Sequence, residues 1–509
     1  MKDSLLKTMS WLHTWSGLLV GWLLFVIFVG GTLACFDQEL DDWMRPALHG
    51  TTAPEQPHFD AAFALSRENA PDAHVWWAHA GTDRDRAVES YYVLDDGTES
   101  KVAHDPNSGE LLPGTAGGDF FFTLHYNLHA GMLGMYIVGL AGMMMLVALV
   151  AGVLIHKRIF KDFFTFRPKA NGQRAWLDGH NITGVLGLPF HLMIAYTGVA
   201  IFVSSYMFGG LQVAYDGDVE RFFEEAGGFY ERPETGEPLE RLHSVDALVA
   251  DAEQRMGAPV DWASVHHPGD SSAVIAFGTD HSRRVAWDMQ QVSYDAATGR
   301  FLHQSPPAGA GYMTYSYLGG MHMAQFGGAA LRWLYFVMGV AGCVMIASGM
   351  QVWVRKRERK VAQAGALSGP GLVLGLNVGV VAGMPLACAV MLLANRLLPA
   401  ELPQRAEAEV TVFCAAWLVA AAWGAWRTRH GRGWRDLFSA TAISLAAIPL
   451  VNLATSPRSH LLATLPRGEY ALAAVDLTVI AFATAFGWLA LRGRRQSVPR
   501  VMDALSEGS

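Results

Sequence analysis

Seven of the 19 histidines lie within or at the ends of long apolar runs: His13, His125, His129, His156, His180, His191 and His322. An ionisable side chain is costly in such a setting and marks a functional position by default. Neutral imidazole is the usual axial ligand of membrane haem, with Nε2 on the iron and Nδ1–H oriented by an acceptor behind it. Two such ligands must face each other across one porphyrin, so depth along a helix decides which can pair. His13 lies six residues beyond Lys7, and His180 six beyond Arg174. At 1.5 Å per residue each sits about 9 Å inward of a cationic side chain. Gly17 and Gly184, four residues on, share the histidine's helical face and clear room for a flat macrocycle. These residues are best explained as ligands of two b-type haems.

The simplest scheme has two levels, with His13 and His180 at the inner one and His129 and His322, near the opposite ends of their runs, at the outer one. His125 lies one turn before His129 on the same face, so it can replace His129 or hold a propionate or substrate. His191 breaks the symmetry, being 11 residues beyond His180 and about 16 Å deeper. A second scheme therefore pairs His191 with His129 or His322. His156, beside Lys157 and Arg158, reads as an interfacial residue that snorkels. The other twelve histidines fall in loops. Among them His266, His267 and His281 match no metal-ligand spacing and read as solvated surface. Met132, Met135, Met143, Met144 and Met145 read as packing. Cys35, Cys343, Cys388 and Cys414 show no CxxC spacing, which argues against a disulfide framework, an iron–sulfur site or a c-type haem attachment.

The elements that must position these histidines are membrane helices. The chain of 509 residues is 51% hydrophobic and only 17% charged, and eight apolar runs are long enough to cross a hydrocarbon core of ~30 Å. Four alternate with long polar segments: helix 1 within 1–36, helix 2 at 125–155, helix 3 at 180–208 and helix 4 at 320–353. Four more fill 371–491, at 371–397, 409–426, 437–456 and 469–491. The fold class is mainly α, a polytopic membrane protein with eight predicted transmembrane helices. The first run is too long for a signal peptide and reads as a retained helix.

Charge sets the expected orientation. The 156–179 loop carries Lys157, Arg158, Lys161, Arg167, Lys169 and Arg174, and the 354–370 loop carries Arg355, Lys356, Arg357, Arg359 and Lys360. Arg427, Arg429, Arg432 and Arg435, then Arg492, Arg494 and Arg495 in the 492–509 tail, continue the alternation. These loops and both termini are expected in the cytoplasm. The opposite segments are acidic, with 17 Asp and Glu against 5 Lys and Arg in 37–124, and 17 against 7 over 211–317 of the 209–319 segment. They read as exported, periplasmic domains of a bacterial inner-membrane protein.

Residues 1–160 and 174–360 read as two copies of one unit. WLHTWSGLLVGWLLF around His13 matches GHNITGVLGLPFHLM around His180, and LHAGMLGMYIVGLAGMMM around His129 matches MHMAQFGGAALRWLYFVMG around His322. Each exported segment closes on a D-x-x-[ST]-G turn, HDPNSGELL at 104–112 and YDAATGRFL at 294–302, suited to a hairpin. Strands are expected at 89–93 and 273–277, and amphipathic helices at 60–69 and 245–255, which makes each segment a small α+β domain.

This tandem pattern resembles the PepSY-associated transmembrane family over about residues 5–360. The resemblance rests on the two D-x-x-[ST]-G turns and the helix starts rich in His and Gly. It implies PepSY-like periplasmic domains between helices 1 and 2 and between helices 3 and 4. It also implies similarity to FoxB-type di-haem reductases of ferric siderophores, and hence a haem-dependent ferric-chelate reductase. Its partners would be a ferric siderophore or other periplasmic iron chelate, and the lipid bilayer. Nucleic acid is not expected. No GxGxxG follows a strand, so quinol or a separate reductase must donate electrons. A PepSY-domain binding protein without redox chemistry and a transporter are the rival readings, and neither explains histidines inside the spans. Helices 5–8 carry no His within a span and no chemistry that the sequence reveals.

Overall fold

The computed structural model describes residues 2–493, except 53–57, 95–98, 157–166, 168–171, 207, 219–220, 223–224, 226–229, 280–283, 288–289, 358–359, 361–364 and 366–367. His281, Lys157, Arg158, Lys161, Lys169, Arg359, Arg494 and Arg495 lie outside the described residues. The chain divides into two compact units. One comprises Met1–Pro46, Thr115–Tyr196 and Leu334–Ser509, and the other Ala47–Gly114 and Thr197–Trp333.

The first unit is helical. Its entering helices are bent. Helices α1 (Lys2–Leu19) and α2 (Gly21–Ala34) meet at a bend of 61°, and α7 (Gly172–Leu186) and α8 (Leu188–Ile201) at a bend of 65°. The breaks fall at Val20 and Gly187, seven residues after His13 and His180 respectively. Pro189 lacks the amide hydrogen that would carry the second helix through its break. Six further apolar segments have no such bend: α6 (Gly131–Ile155), α11 (Gly328–Lys356), the pair α12 (Gly369–Val381) and α13 (Gly383–Leu397), α14 (Arg405–Thr428), α15 (Gly433–Thr455) and α16 (Tyr470–Gly493). Among the described residues, six helices are thus long and apolar enough to cross a membrane, or eight with each bent pair taken as one.

The runs at 125–155 and 320–353 are also interrupted. Leu128 and His129 take left-handed backbone with φ of 56° and 54°, as does Gly131, so α5 (Asp119–Asn127) ends before α6 begins. Ala324, Gly327 and Gly328 do the same between α10 (Ala310–Met323) and α11. A left-handed residue cannot continue a right-handed helix. His125 and His129 therefore do not share a helix face, contrary to the reading from periodicity.

The second unit is built on a seven-stranded antiparallel sheet of order β3-β2-β1-β4-β5-β6-β7. The strands are β1 (Val75–His79), β2 (Val88–Val93), β3 (Glu99–His104), β4 (Trp262–His266), β5 (Val274–Gly278), β6 (Gln291–Asp295) and β7 (Phe301–Gln304). The two strands expected at 89–93 and 273–277 fall in β2 and β5, and the other five strands go beyond that expectation. The amphipathic stretches form α4 (Phe59–Asn69) and α9 (Val249–Met256). Both turns use one design, in which the Gly109 and Gly299 amides donate to the Asp105 and Asp295 carbonyls at 2.9 and 2.8 Å, each glycine at φ near +70°.

The two α+β segments do not keep separate sheets. Their first strands pair, with Trp77 opposite Ser264 at the centre and Val75 opposite His266 at one end. Since Trp77 and Ser264 are each the third residue of a five-residue strand, the join is a pseudo-two-fold. Joining buries two strand edges that would otherwise expose unpaired backbone groups. The helices cross-cap in the same symmetry: Asp246 accepts from the Phe59 amide at 2.6 Å, and Asp60 from the Val245 amide at 2.6 Å. Phe59, Phe63, Trp76, Val265, Ile275 and Phe277 form one continuous core beneath.

Candidate functional site

Among the described residues, four histidines share one construction, in which the ring lies against a glycine of a neighbouring helix with Nδ1 turned to a hydrogen-bonding oxygen on that helix. His13 on α1 donates Nδ1–H to the Ala148 carbonyl at 2.8 Å, and a Cβ on Gly152, one turn further along α6, would come 3.1 Å from its Cε1. His180 on α7 donates to the Met345 carbonyl at 2.8 Å, and a Cβ on Gly349 of α11 would stand 3.0 Å from its Cε1. His125 on α5 donates to the Ile27 carbonyl at 2.8 Å, and a Cβ on Gly31 of α2 would stand 2.6 Å from its Nδ1. The carbonyl is residue n and the glycine n+4 in all three. These lie on one helical face, so only a residue without a side chain lets the ring reach the carbonyl. His322 on α10 completes the set: its Nδ1 lies 3.1 Å from Thr197 Oγ1, and a Cβ on Gly198 would come 2.7 Å from its Cε1.

A carbonyl oxygen can only accept, so the neutral ring of His13, His180 or His125 carries its proton on Nδ1 and its lone pair on Nε2. That is the tautomer a metal-ligating imidazole needs, with the second nitrogen anchored behind it. Among the described residues, Nε2 of neither His13 nor His180 makes a hydrogen bond. The two rings lie edge to face with centres 6.1 Å apart and planes at 62°. A metal bond of about 2.0–2.1 Å on each side, plus about 1.1 Å from nitrogen to ring centre, gives about 6.3 Å for an ion held between two imidazoles. The observed separation fits. A Cβ on Gly17 would meet nothing within 4 Å, and one on Gly184 only the Met345 side chain at 3.5 Å, in keeping with the room expected there.

The other expected ligands are placed differently. His129 sits in the left-handed joint after α5, exposed, with Nε2–H donating to the Phe120 carbonyl at 2.9 Å and its ring stacked on Phe120. His191 is fully buried and meets α11 through the other nitrogen: its Nε2 faces the Met338 carbonyl at 3.2 Å, a Cβ on Gly342, four residues on, would stand 3.2 Å from that Nε2, and its Nδ1 has no partner among the described residues. His156 caps α6, with Nε2 3.3 Å from the Asn181 amide.

The duplication relates His125 to His322. His125 precedes Gly152 by 27 residues, as His322 precedes Gly349. His13 precedes Gly31 by 18, as His180 precedes Gly198. His125, not His129, is thus the mate of His322. These matched glycine offsets were a signal available in the sequence.

The last four spans also hold more than packing. Arg405 pairs with Glu409 at 2.8 Å, and Glu409 accepts from Thr115 Oγ1 and the Ala116 amide, each at 2.8 Å, and from Asn395 at 2.8 Å. Arg396 stacks on Trp43 at 3.7 Å and donates to its carbonyl, while the Trp43 indole donates to Asp476 at 3.0 Å, joined there by Asn452. Glu409 is wholly buried, and Asp476 is 1% exposed. Buried charges are tolerated when paired and hydrogen-bonded. Here they tie the C-terminal helices to α3 (Asp37–Trp43) and to the segment leading into α5, which carries His125.

Bent apolar entering helices, a strand-rich insert after each and histidines repeated by duplication define a multi-pass membrane protein of tandem design. The chain belongs to the PepSY-associated TM family, whose model, the PepSY-associated TM region, matches residues 10–356. It is also 30% identical over 301 residues to an uncharacterised protein of Pseudomonas aeruginosa, covering 56% of this chain and 74% of that one.

Proposed function

We propose that this protein is a di-haem b electron-transfer protein of the bacterial inner membrane that reduces a ferric siderophore or other ferric chelate on the exported side. The observation that carries the reading is the pair His13 and His180, each anchored through Nδ1, with ring centres 6.1 Å apart. We assign these two as the residues that would hold one haem, and His125 and His322, each of which repeats the construction within its own unit, as further residues that would hold haem.

Haem bound there would supply a one-electron carrier whose potential its axial imidazoles help to set. The chain's own contribution is positional. The Ala148 and Met345 carbonyls fix the tautomer and raise the basicity of Nε2, while Gly152 and Gly349 let the rings seat against their helices. Electrons would come from quinol or a separate reductase on the cytoplasmic side. Iron(III) prefers hard oxygen donors, so reduction of the chelated metal to iron(II) loosens the chelate. The acidic exported segments favour neutral or cationic chelates over strongly anionic ones.

The test is the visible spectrum of the detergent-purified protein before and after dithionite. A sharp low-spin haem b α-band, two haems per chain, and reoxidation of the reduced protein by a ferric siderophore are expected. Absence of the band would sink the reading.

A further inference from the structure

Four side chains that the sequence scatters over loops meet near the join of the two half-sheets. His74 immediately precedes β1, while His266 ends β4 and His267 follows it. Pairing of Val75 with His266 sets them side by side, and the His267 amide donates to the His74 carbonyl at 2.9 Å. The rings of His74 and His267 lie edge to face, 4.7 Å between centres. Glu231 reaches in from a distant segment: its Oε1 lies 3.9 Å from His74 Nε2, 3.7 Å from His267 Nε2 and 2.9 Å from His266 Nδ1. One donor atom from each of His74, Glu231 and His267 falls within 4.8 Å of the other two.

Two imidazoles and a carboxylate are a ligand set that takes zinc, iron(II) and their neighbours. Metal bonds of about 2.0–2.1 Å place two ligand atoms at most about 4 Å apart, so small side-chain rotations close the set around an ion. An independent observation points the same way. His267 Nδ1 lies 2.7 Å from Glu234 Oε1, the carboxylate–histidine arrangement that stands behind metal-ligating imidazoles and leaves Nε2 as the donor.

The segment that follows Glu231 is tied down. Arg232 donates to Asp295 at 3.0 Å and to the Ser272 and Ala273 carbonyls. Thr235 and Gly236 donate backbone amides to Asp270 at 3.1 and 2.7 Å. His267 itself is 9% exposed and holds a left-handed φ of 49°, which aims its ring at the carboxylates. With neutral imidazoles, Glu231 and Glu234 balance a dication without surplus charge.

The geometry points to a binding site for one divalent first-row transition-metal ion, ligated by His74, His267 and Glu231, with Glu234 orienting His267 and His266 positioning Glu231. It does not depend on the haem reading. The test is equilibrium dialysis of the full-length, detergent-purified protein, without a polyhistidine tag, against Zn2+, with bound zinc and haem iron counted separately. One Zn2+ per chain is expected in the wild type. His267→Ala and Glu231→Gln should each weaken binding at least tenfold, and Glu234→Gln by about tenfold or more. His243→Ala, a half-buried histidine outside the cluster, should bind as wild type. Haem content should stay constant throughout, so a failure here is distinguishable from failure of the haem assignment. The isosteric Glu231→Gln and Glu234→Gln keep the test open if His267→Ala does not fold. Wild type that takes up no zinc, or Gln variants that bind as tightly as wild type, overturn the proposal.

Discussion

The imidazole of His125 occupies the space a side chain on Gly31 would need, with Nδ1 2.6 Å from the position of that missing Cβ. Its hydrogen bond to the Ile27 carbonyl depends on this approach. Gly31→Ala must therefore push His125 off α2. We expect the purified variant to lose about one of two haems per chain, measured as pyridine haemochrome. Gly375→Ala, where a Cβ would make only an ordinary 3.5 Å contact with Ala425, should keep both. Retention of both haems in Gly31→Ala would falsify the role given to His125.

His129 provides the converse test. Its Nε2 is bonded to Phe120 within its own segment, so His129→Ala should leave the haem content at wild type. His180→Ala should lower it by about one haem per chain. If His129→Ala loses a haem and His125→Ala does not, the assignment of ligands is reversed.

The Glu409 network predicts a stability effect far from any histidine. Removing one partner of a buried ion pair costs about 3–5 kcal/mol. Glu409→Leu strands Arg405, Asn395, Thr115 and the Ala116 amide together. The melting temperature in detergent should fall by several degrees or more, while Glu407→Leu, at the start of the same helix, should shift it little. Equal melting of the two variants would argue that the network contributes nothing.

Acid should act on the sheet unit through Asp246. Burial, with repulsion from Asp60, raises its pKa above the ordinary 3.8. A carboxyl with a raised folded pKa contributes stability that is present below its ordinary value and lost as pH rises through the raised one. Asp246→Asn keeps an acceptor for the Phe59 amide and removes the charge. The variant should gain on wild type in unfolding midpoint as pH increases from about 4 to neutral. A difference independent of pH would show that repulsion from Asp60 is unimportant.

Much of this protein is written in local pattern. Apolar run length marked the helices, the D-x-x-[ST]-G turns marked the hairpins, and self-comparison found the duplication. Depth and the internal repeat match His13 with His180, and the structure brings their rings together. Run length could not show where a helix breaks, because Leu128, Ala324 and Val20 are as apolar as their neighbours. The left-handed joint after α5 changes which histidine meets Gly31, and periodicity assumes a continuous helix.

What the sequence determined by itself is the set of residue types and their spacing: histidines in membrane runs, a duplicated unit and acidic inserts. Tertiary structure decided which of those residues meet. It joined two half-sheets through β1 and β4, gathered His74, His267 and Glu231 from three distant segments, and buried Glu409 and Asp476 against helices hundreds of residues away. The physical reason is that periodicity reports which face of an element a side chain is on, whereas its partner across that face is chosen by packing and by the requirement that buried polar groups be paired.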